Sequence, residues 1–286
     1  MDFSAFGHLV RLALEEDLAQ LGDVTTNAVF AAETGALALL SKDRGVLAGS
    51  GMFDLVFREV DGNTAIEWLC RDGDPLAPGD RIAIVTGKSA SLLTAERTAL
   101  NFLSFLSGIA SITRRHVQAA LAGGRAAVLD TRKTIPGYRE LSKYAVKVGG
   151  GMNHRMGLYD MAMLKDNHID LCGSITEAVH RVRARWGDQF RIEVECRTSA
   201  DVNEAVAAGA DVVMLDNMDG ETIVSIVKTP HGSVKLEVSG NVNLENIGRL
   251  SATGVDLISV GRITHSAPAF DFSLKYEAGV SGEAGR

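Results

Sequence analysis

At 286 residues, 46% of them apolar, the chain is long enough for one large domain or two smaller ones with a real core. Its net charge of −7 disfavours non-specific nucleic-acid binding, and no apolar run reaches the ~18 residues of a membrane span. Three cysteines without a CxxC pair (Cys70, Cys172, Cys196) disfavour a disulfide framework or a zinc ribbon. The N-terminus lacks the basic start and small-residue cleavage site of a secretory signal, so a cytoplasmic protein is expected.

Apolar residues at helical spacing predict a helix over 9–18. GALALLSKDRGVLAGSGMFDLVFREV (35–60) predicts a strand, a glycine-rich turn and a helix from about Gly51. AIEWLC and RIAIVTG predict strands, separated by the Pro- and Gly-marked turns of DGDPLAPGD. SLLTAERTALNFLSFLSGIASITRRHVQAAL (91–121) predicts one long helix or a bent pair, with Gly108 as the break and the domain boundary nearby.

Beyond that point short apolar runs recur: AAVLD, MAMLK, RIEVE, VVMLD, KLEVS and LISVG. Between them lie stretches with helical pattern, such as ITEAVHRVRARW, SADVNEAVAAG and LENIGRLSATG. This alternation predicts six or seven parallel strands with crossover helices. A polar residue at nearly every strand end favours a barrel, whose site lies at the C-terminal ends of its strands, over an open sheet. FDFSL is expected to return to the first domain, and YEAGVSGEAGR (276–286) to fray.

The segment 130–169 carries Arg132, Lys133, His154, Arg155, Lys165 and His168 where apolar runs end, a placement that points to an anionic ligand. Later strand ends carry acids. Strand alternation places Glu193 with Glu195 on one face, and Asp216 with Met214. Glu195 and Asp216 at one mouth suit Mg²⁺ or sugar hydroxyls, and a general acid/base pair is the alternative. Ser239-Gly240 and Gly261 follow successive strands, where backbone N–H groups favour phosphate, with His265 close behind. The Gly149–Gly151 run is a third phosphate candidate or a flexible loop. Met152, Met156, Met161 and Met163 read as core or loop packing. No histidine metal spacing and no nucleophile elbow occurs.

TRKTIPGYRELSKYAVKVGGGMNHRMGLYDMAMLKDNHI (131–169) closely resembles the core motif of the quinolinate phosphoribosyltransferase family. EDLAQLGDVTT, TAERTALNFLSFLSGIAS, AAGADVVMLDNM, LEVSGNVNLENI and VDLISVGRITHSAP extend the likeness over nearly the whole chain. The resemblance implies an α/β fold of the type II phosphoribosyltransferase kind. An N-terminal α/β sandwich (1–110, joined by 270–286) would precede an incomplete parallel α/β barrel (111–269). The implied reaction moves phosphoribosyl from phosphoribosyl pyrophosphate to quinolinate with decarboxylation, giving nicotinate mononucleotide, with Mg²⁺ as cofactor. Arg132, Lys133, His154, Arg155 and Lys165 match the cationic pocket for quinolinate. Arg97 matches an arginine donated across a homodimer, with higher assembly left open. Glu195 and Asp216 match acids near the ribose and Mg²⁺, and Ser239, Gly240, Asn241, Gly261 and His265 match the phosphate loops. Lys133 or Lys165 would assist decarboxylation. The chain departs from the family at Asn241, where a glycine is usual, and at Arg197. Rival readings are a phosphoribosyltransferase for another acceptor such as nicotinate, a Schiff-base aldolase using Lys165 or Lys133, and a non-catalytic phosphosugar-binding protein.

Overall fold

The computed structural model describes residues 1–277. It divides into two compact units, Met1–Ile112 with the chain from Ala267 on, and Thr113–Ser266. Most of the terminal segment expected to fray, from 278 on, lies outside the described residues.

A 3₁₀ turn at Phe3–Phe6 leads into α1 (Gly7–Leu18), followed by α2 (Val24–Val29), β1 (Thr34–Ser41), β2 (Gly45–Val46) and α3 (Ser50–Val60). Then come β3 (Ala65–Trp68), β4 (Pro75–Leu76), β5 (Arg81–Lys88) and α4 (Ser89–Gly123). In the second unit β6 (Ala127–Leu129), α5 (Arg139–Val148), β7 (Ala162–Leu164), α6 (Asp166–Cys172) and α7 (Ile175–Trp186) lead to β8 (Ile192–Cys196). The chain continues through α8 (Ser199–Ala208), β9 (Val212–Asp216), α9 (Gly220–Lys228), β10 (Lys235–Ser239), α10 (Ile247–Ala252), β11 (Leu257–Ser259) and α11 (Arg262–His265). The last strand, β12 (Phe272–Tyr276), belongs to the first unit.

In the first unit four antiparallel strands run in the order β12-β1-β5-β3. FDFSL therefore returns as expected, with Leu39 opposite Leu274. Helix α3 forms because Met52, Phe53, Val56 and Phe57 recur at spacings of three and four, and all four are buried. Trp68 on β3 donates from Nε1 to Asp54 of that helix at 2.8 Å.

Gly108 does not break α4, which is continuous from Ser89 to Gly123. A Cβ at this position would stand 2.0 Å from the carbonyl oxygen of Pro268. The glycine instead allows the chain before β12 to approach the helix closely, and Phe270 donates its N–H to the Ser104 carbonyl at 3.0 Å. A helix interior tolerates glycine at a cost of about 1 kcal/mol, so tertiary contact can override the break that the sequence suggests.

The second unit holds six parallel strands in the order β6-β11-β10-β9-β8-β7. From β7 to β11 each strand pairs with its successor, and β11 pairs with β6. That order is consistent with the expected incomplete α/β barrel. The barrel is incomplete because β6 and β7 are edges, although Met152 makes a parallel bridge to Leu129 of β6. Parallel strands covered on both faces read as continuous apolar runs, and Val212 to Leu215 are all buried. Register sets Glu195 opposite Met214, Met214 opposite Glu237, and Asp216 opposite Ser239, so polar residues collect at the same end. Among the described residues no helix is long and apolar enough to cross a membrane.

Candidate active site

The C-terminal ends of the six parallel strands open into a cavity of about 960 Å³. Arg132 and Lys133 reach it from the loop after β6, His154 and Arg155 from the segment before β7, and Lys165 from the end of β7. Glu195 follows on β8, Asp216 on β9, Ser239, Gly240 and Asn241 after β10, and Gly261 and His265 after β11. Around the barrel, the two edge strands carry the cations, β8 and β9 the acids, and β10 and β11 the glycine-containing loops.

The cationic wall is built rather than merely exposed. Arg139 of α5 donates to Thr134 Oγ1 at 3.3 Å and to the carbonyls of Met156 at 3.2 Å and Arg132 at 3.5 Å. It thereby ties the TRKT turn to the NHR segment. Thr264 Oγ1 donates to the Lys133 carbonyl at 2.8 Å and anchors the same turn to α11. Arg155 is buried, and one guanidinium nitrogen donates to the Met161 carbonyl at 3.1 Å. Burial and the neighbouring Arg132 both push its pKa below the ordinary arginine value. Arg132 Nε is buried with no hydrogen-bond partner. Two adjacent guanidinium groups, one with an orphaned donor, suit a ligand that brings carboxylates, because Arg pairs with them through bidentate charge-assisted bonds.

Behind this wall Asp130 and Lys143, both fully buried, form an ion pair. Lys143 Nζ also donates to the His154 carbonyl, and the His154 N–H donates to Asp130 Oδ1, both at 2.9 Å. The Asn153 amide, oriented to satisfy both neighbours, donates to Asp130 Oδ2 at 2.8 Å and to the Lys143 carbonyl at 3.0 Å. Burial raises the Asp130 pKa to about 6 against the pull of Lys143. Burial likewise lowers that of Lys143.

The acids divide by depth. Glu195, nearest the mouth, accepts from Lys165 Nζ at 2.7 Å. Asp216 accepts from Asn217 Nδ2 at 3.0 Å, and Asn217 in turn accepts from Asn241 Nδ2 at 3.2 Å. Asn217 (φ 52°) and Asn241 (φ 49°) are both left-handed. A Cβ on Gly240 would fall 2.1 Å from Asn217 Oδ1, so glycine is required for the loops of β9 and β10 to meet. Asn241 lines the cavity, so the departure from the usual glycine leaves the loop in place. Arg197 lies outside the lining and pairs with Asp170 at 2.9 Å on the surface.

Deeper in the barrel, Glu193 and Glu237 are buried within reach of His154. His154 Nε2 lies 2.9 Å from Glu193 Oε2 and 3.7 Å from Glu237 Oε1. Ser259 donates its hydroxyl to Glu237. Burial, reinforced by Glu193, pushes the Glu237 pKa up to about 8. A raised carboxyl pKa means that the folded protein holds a proton that the unfolded chain has released, so stability falls as pH rises from about 4.5 through about 8. Glu237→Gln, which keeps an acceptor for Ser259 and cannot ionise, is expected to flatten this decline. Thermal melts of both proteins across that interval check it, and parallel curves would refute it.

Arg97 is exposed, belongs to the first unit and does not line its own chain's cavity, which is compatible with the expected role in a second subunit's site. Several other expectations need correction. His168 is also absent from the lining, because its Nδ1 accepts from the Lys165 N–H at 3.0 Å and caps α6. The Gly149–Gly151 run does not line the cavity either; a Cβ on Gly151 would meet Thr113 and Val146 at 2.9 Å, so this glycine serves packing. Met163 lines the cavity instead of packing in the core, and Met152 is 53% exposed. Arg262 lines the cavity without having been singled out; its place directly after Gly261 at a strand end was the available signal.

A family model described as "Quinolinate phosphoribosyl transferase, N-terminal domain" matches residues 23–107, and one described as the C-terminal domain matches residues 109–275. The chain is 42% identical over 253 residues to a probable nicotinate-nucleotide pyrophosphorylase [carboxylating] of Bacillus subtilis, covering 88% of this chain and 87% of that one. It is 39% identical to a decarboxylating quinolinate phosphoribosyltransferase of Nicotiana tabacum, covering 97% and 84%. The crystal structure of NadC from Streptococcus pyogenes superposes with a TM-score of 0.92 at 42% identity, covering 97% and 99%. With both domains matched and the cavity at its strand ends, the chain belongs to the quinolinate phosphoribosyltransferase family.

Proposed function

We propose that the protein transfers the phosphoribosyl group of phosphoribosyl pyrophosphate to quinolinate with loss of CO₂, the step that forms nicotinate mononucleotide in de novo NAD biosynthesis. The observation that carries this reading is the order of groups around one cavity: cations on β6 and β7, acids on β8 and β9, and glycine-containing loops on β10 and β11. A pyridine dicarboxylate would bind against Arg132 and Arg155, with Lys133 and Lys165 beside them. The 5′-phosphate would take the loops at Ser239, Gly240, Asn241 and Gly261, with His265 nearby.

The acceptor's ring nitrogen already holds a lone pair, so attack on C1 of the ribose needs no general base. The new N–C1 bond forms as the C1–O bond to pyrophosphate breaks, and positive charge develops on the ribose. Glu195 and Asp216 offset that charge from fixed positions. The ring nitrogen is then cationic and accepts the electron pair released when the adjacent carboxylate leaves as CO₂. The resulting ring carbanion takes a proton, which either Lys133 or Lys165 can deliver.

Glu195 and Asp216 each commit one oxygen to a neighbour and keep the other. Such hard oxygen donors fit Mg²⁺, which takes one or two carboxylates with substrate phosphates and waters. When bound, the ion would neutralise charge on the departing pyrophosphate. Arg97, exposed and away from its own chain's cavity lining, would complete the site of a second subunit in a homodimer.

The test is an assay of quinolinate and phosphoribosyl pyrophosphate with Mg²⁺, following pyrophosphate and CO₂ together. One CO₂ per pyrophosphate is expected. Turnover of nicotinate but not quinolinate would overturn the assignment.

A further inference from the structure

Both ring nitrogens of His154 are engaged inside the protein. The N–H of Arg155 donates to His154 Nδ1 at 2.8 Å, and Nε2 faces Glu193 and Glu237. A nitrogen that accepts a hydrogen bond carries no proton, so Nδ1 is bare and the neutral ring bears its proton on Nε2. Burial disfavours the imidazolium while Glu193 and Glu237 favour it, and the balance raises the His154 pKa.

His154, Glu193 and Glu237 could each offer one ligand atom, all within 4.8 Å of one another. A metal ion would need the lone pair of Nε2, which the proton occupies, so the cluster is not read as a metal site. Glu193 is nevertheless fully buried, and among the described residues no donor other than His154 Nε2 serves its oxygens. Its contact is with His154 Nε2, which lies 2.9 Å from Glu193 Oε2 and whose interaction with that carboxyl helps to raise the His154 pKa. A buried carboxyl group with so few partners is costly, and solvation alone does not explain its presence under a binding cavity.

We propose that Glu193 is a positioning residue for the phosphoribosyl acceptor: it holds the His154 ring, and the ring holds the main chain from which Arg155 enters the cavity. The proposal rests on the reading of the cavity given above. The His154 backbone is already clamped by Asp130 and Lys143. The ring then takes the Arg155 N–H, so the direction of the Arg155 side chain depends on where the ring sits. Among the described residues Asp216 and the β10 and β11 loops make no hydrogen bond to Glu193, His154 or Arg155, so donor binding should be independent of them.

Glu193→Leu removes the carboxylate at similar volume, and Glu193→Gln restores an acceptor for Nε2–H. The Leu variant is expected to raise the KM for quinolinate about tenfold or more, equivalent to about 1.4 kcal/mol, with the KM for phosphoribosyl pyrophosphate within about twofold of the parent. The Gln variant should return the quinolinate KM to within about threefold. Equal increases in both KM values, or a Leu variant with parental kinetics, would overturn the proposal. If the Leu variant does not fold, ¹⁵N NMR of His154 in the parent protein decides: a protonated Nδ1 refutes the arrangement, and a bare Nδ1 with protonated Nε2 supports it. Absence of CO₂ release by the parent protein would instead reject the substrate assignment, leaving the NMR result to stand separately.

Discussion

Arg132→Ala should abolish measurable binding of quinolinate and leave binding of phosphoribosyl pyrophosphate intact. Arg132 lines the cavity beside Arg155, and its Nε is buried without a partner. On the proposed function this orphan would find a carboxylate in the complex, so the variant would lose a charge-assisted contact and also strand a ligand charge in a desolvated place. Truncating one member of a buried charge pair at an interface costs about 2–5 kcal/mol, roughly 30-fold to several thousand-fold in Kd. The phosphate loops lie on β10 and β11 and are held by their own bonds, including the one from Asn246 Nδ2 to the Asn241 carbonyl. Isothermal calorimetry with each ligand separately is the measurement. Unchanged quinolinate affinity would remove Arg132 from the pocket, and equal loss of both ligands would point to general damage.

Lys143→Met should lower stability by about 3–5 kcal/mol, because removing one partner of a buried pair leaves the other uncompensated. Here the stranded group is the Asp130 carboxylate, fully buried beneath the NHR segment. The Asp130 pKa is already raised to about 6 by burial, and Lys143 is the main group opposing that rise. In the folded protein Asp130 therefore holds its proton above the unfolded value, and its contribution to stability declines as pH rises from about 3.8 through about 6. Without Lys143 the folded pKa climbs further, so the penalty should be larger at pH 8 than at pH 5. Adding Asp130→Asn should recover much of the loss, since neutral replacement of both partners of a buried pair is often tolerated. Urea unfolding of the single and double variants at the two pH values checks this. A pH-independent penalty would show that lost packing, not the stranded charge, dominates.

Local patterns made much of the architecture legible. Alternation of short β-rich runs with helical stretches announced the parallel strands, and each such strand formed where its run lies. The polar residues that end those runs do converge, because parallel strands in a barrel all present their C-terminal ends to one face. The 91–121 segment is the single long helix of the two expected forms, and Gly108, offered as the break, fails for the opposite reason. Its meaning depends on Pro268, which lies far along the chain, and no local pattern records that approach. His168 and the Gly149–Gly151 run failed similarly. They carry suitable chemistry at suitable places, but a helix cap and a packing contact had already claimed them.

The sequence by itself determined the element order, the family, and the residue types available for binding an anion and a phosphorylated sugar. Those follow from periodicity, strand-end chemistry and long motif likeness, all of which are local along the chain. Only the tertiary structure decided depth and partnership. Glu193 and Glu195 alternate onto one face and look equivalent in RIEVEC, yet Glu195 meets Lys165 near the mouth while Glu193 is sealed beneath His154. The difference arises because two strand steps, about 6.6 Å at about 3.3 Å per residue, carry a side chain along the barrel axis from solvent into the interior. There the cost of a charge rises steeply, and the identity of its neighbour, drawn from another strand, sets what the group can do.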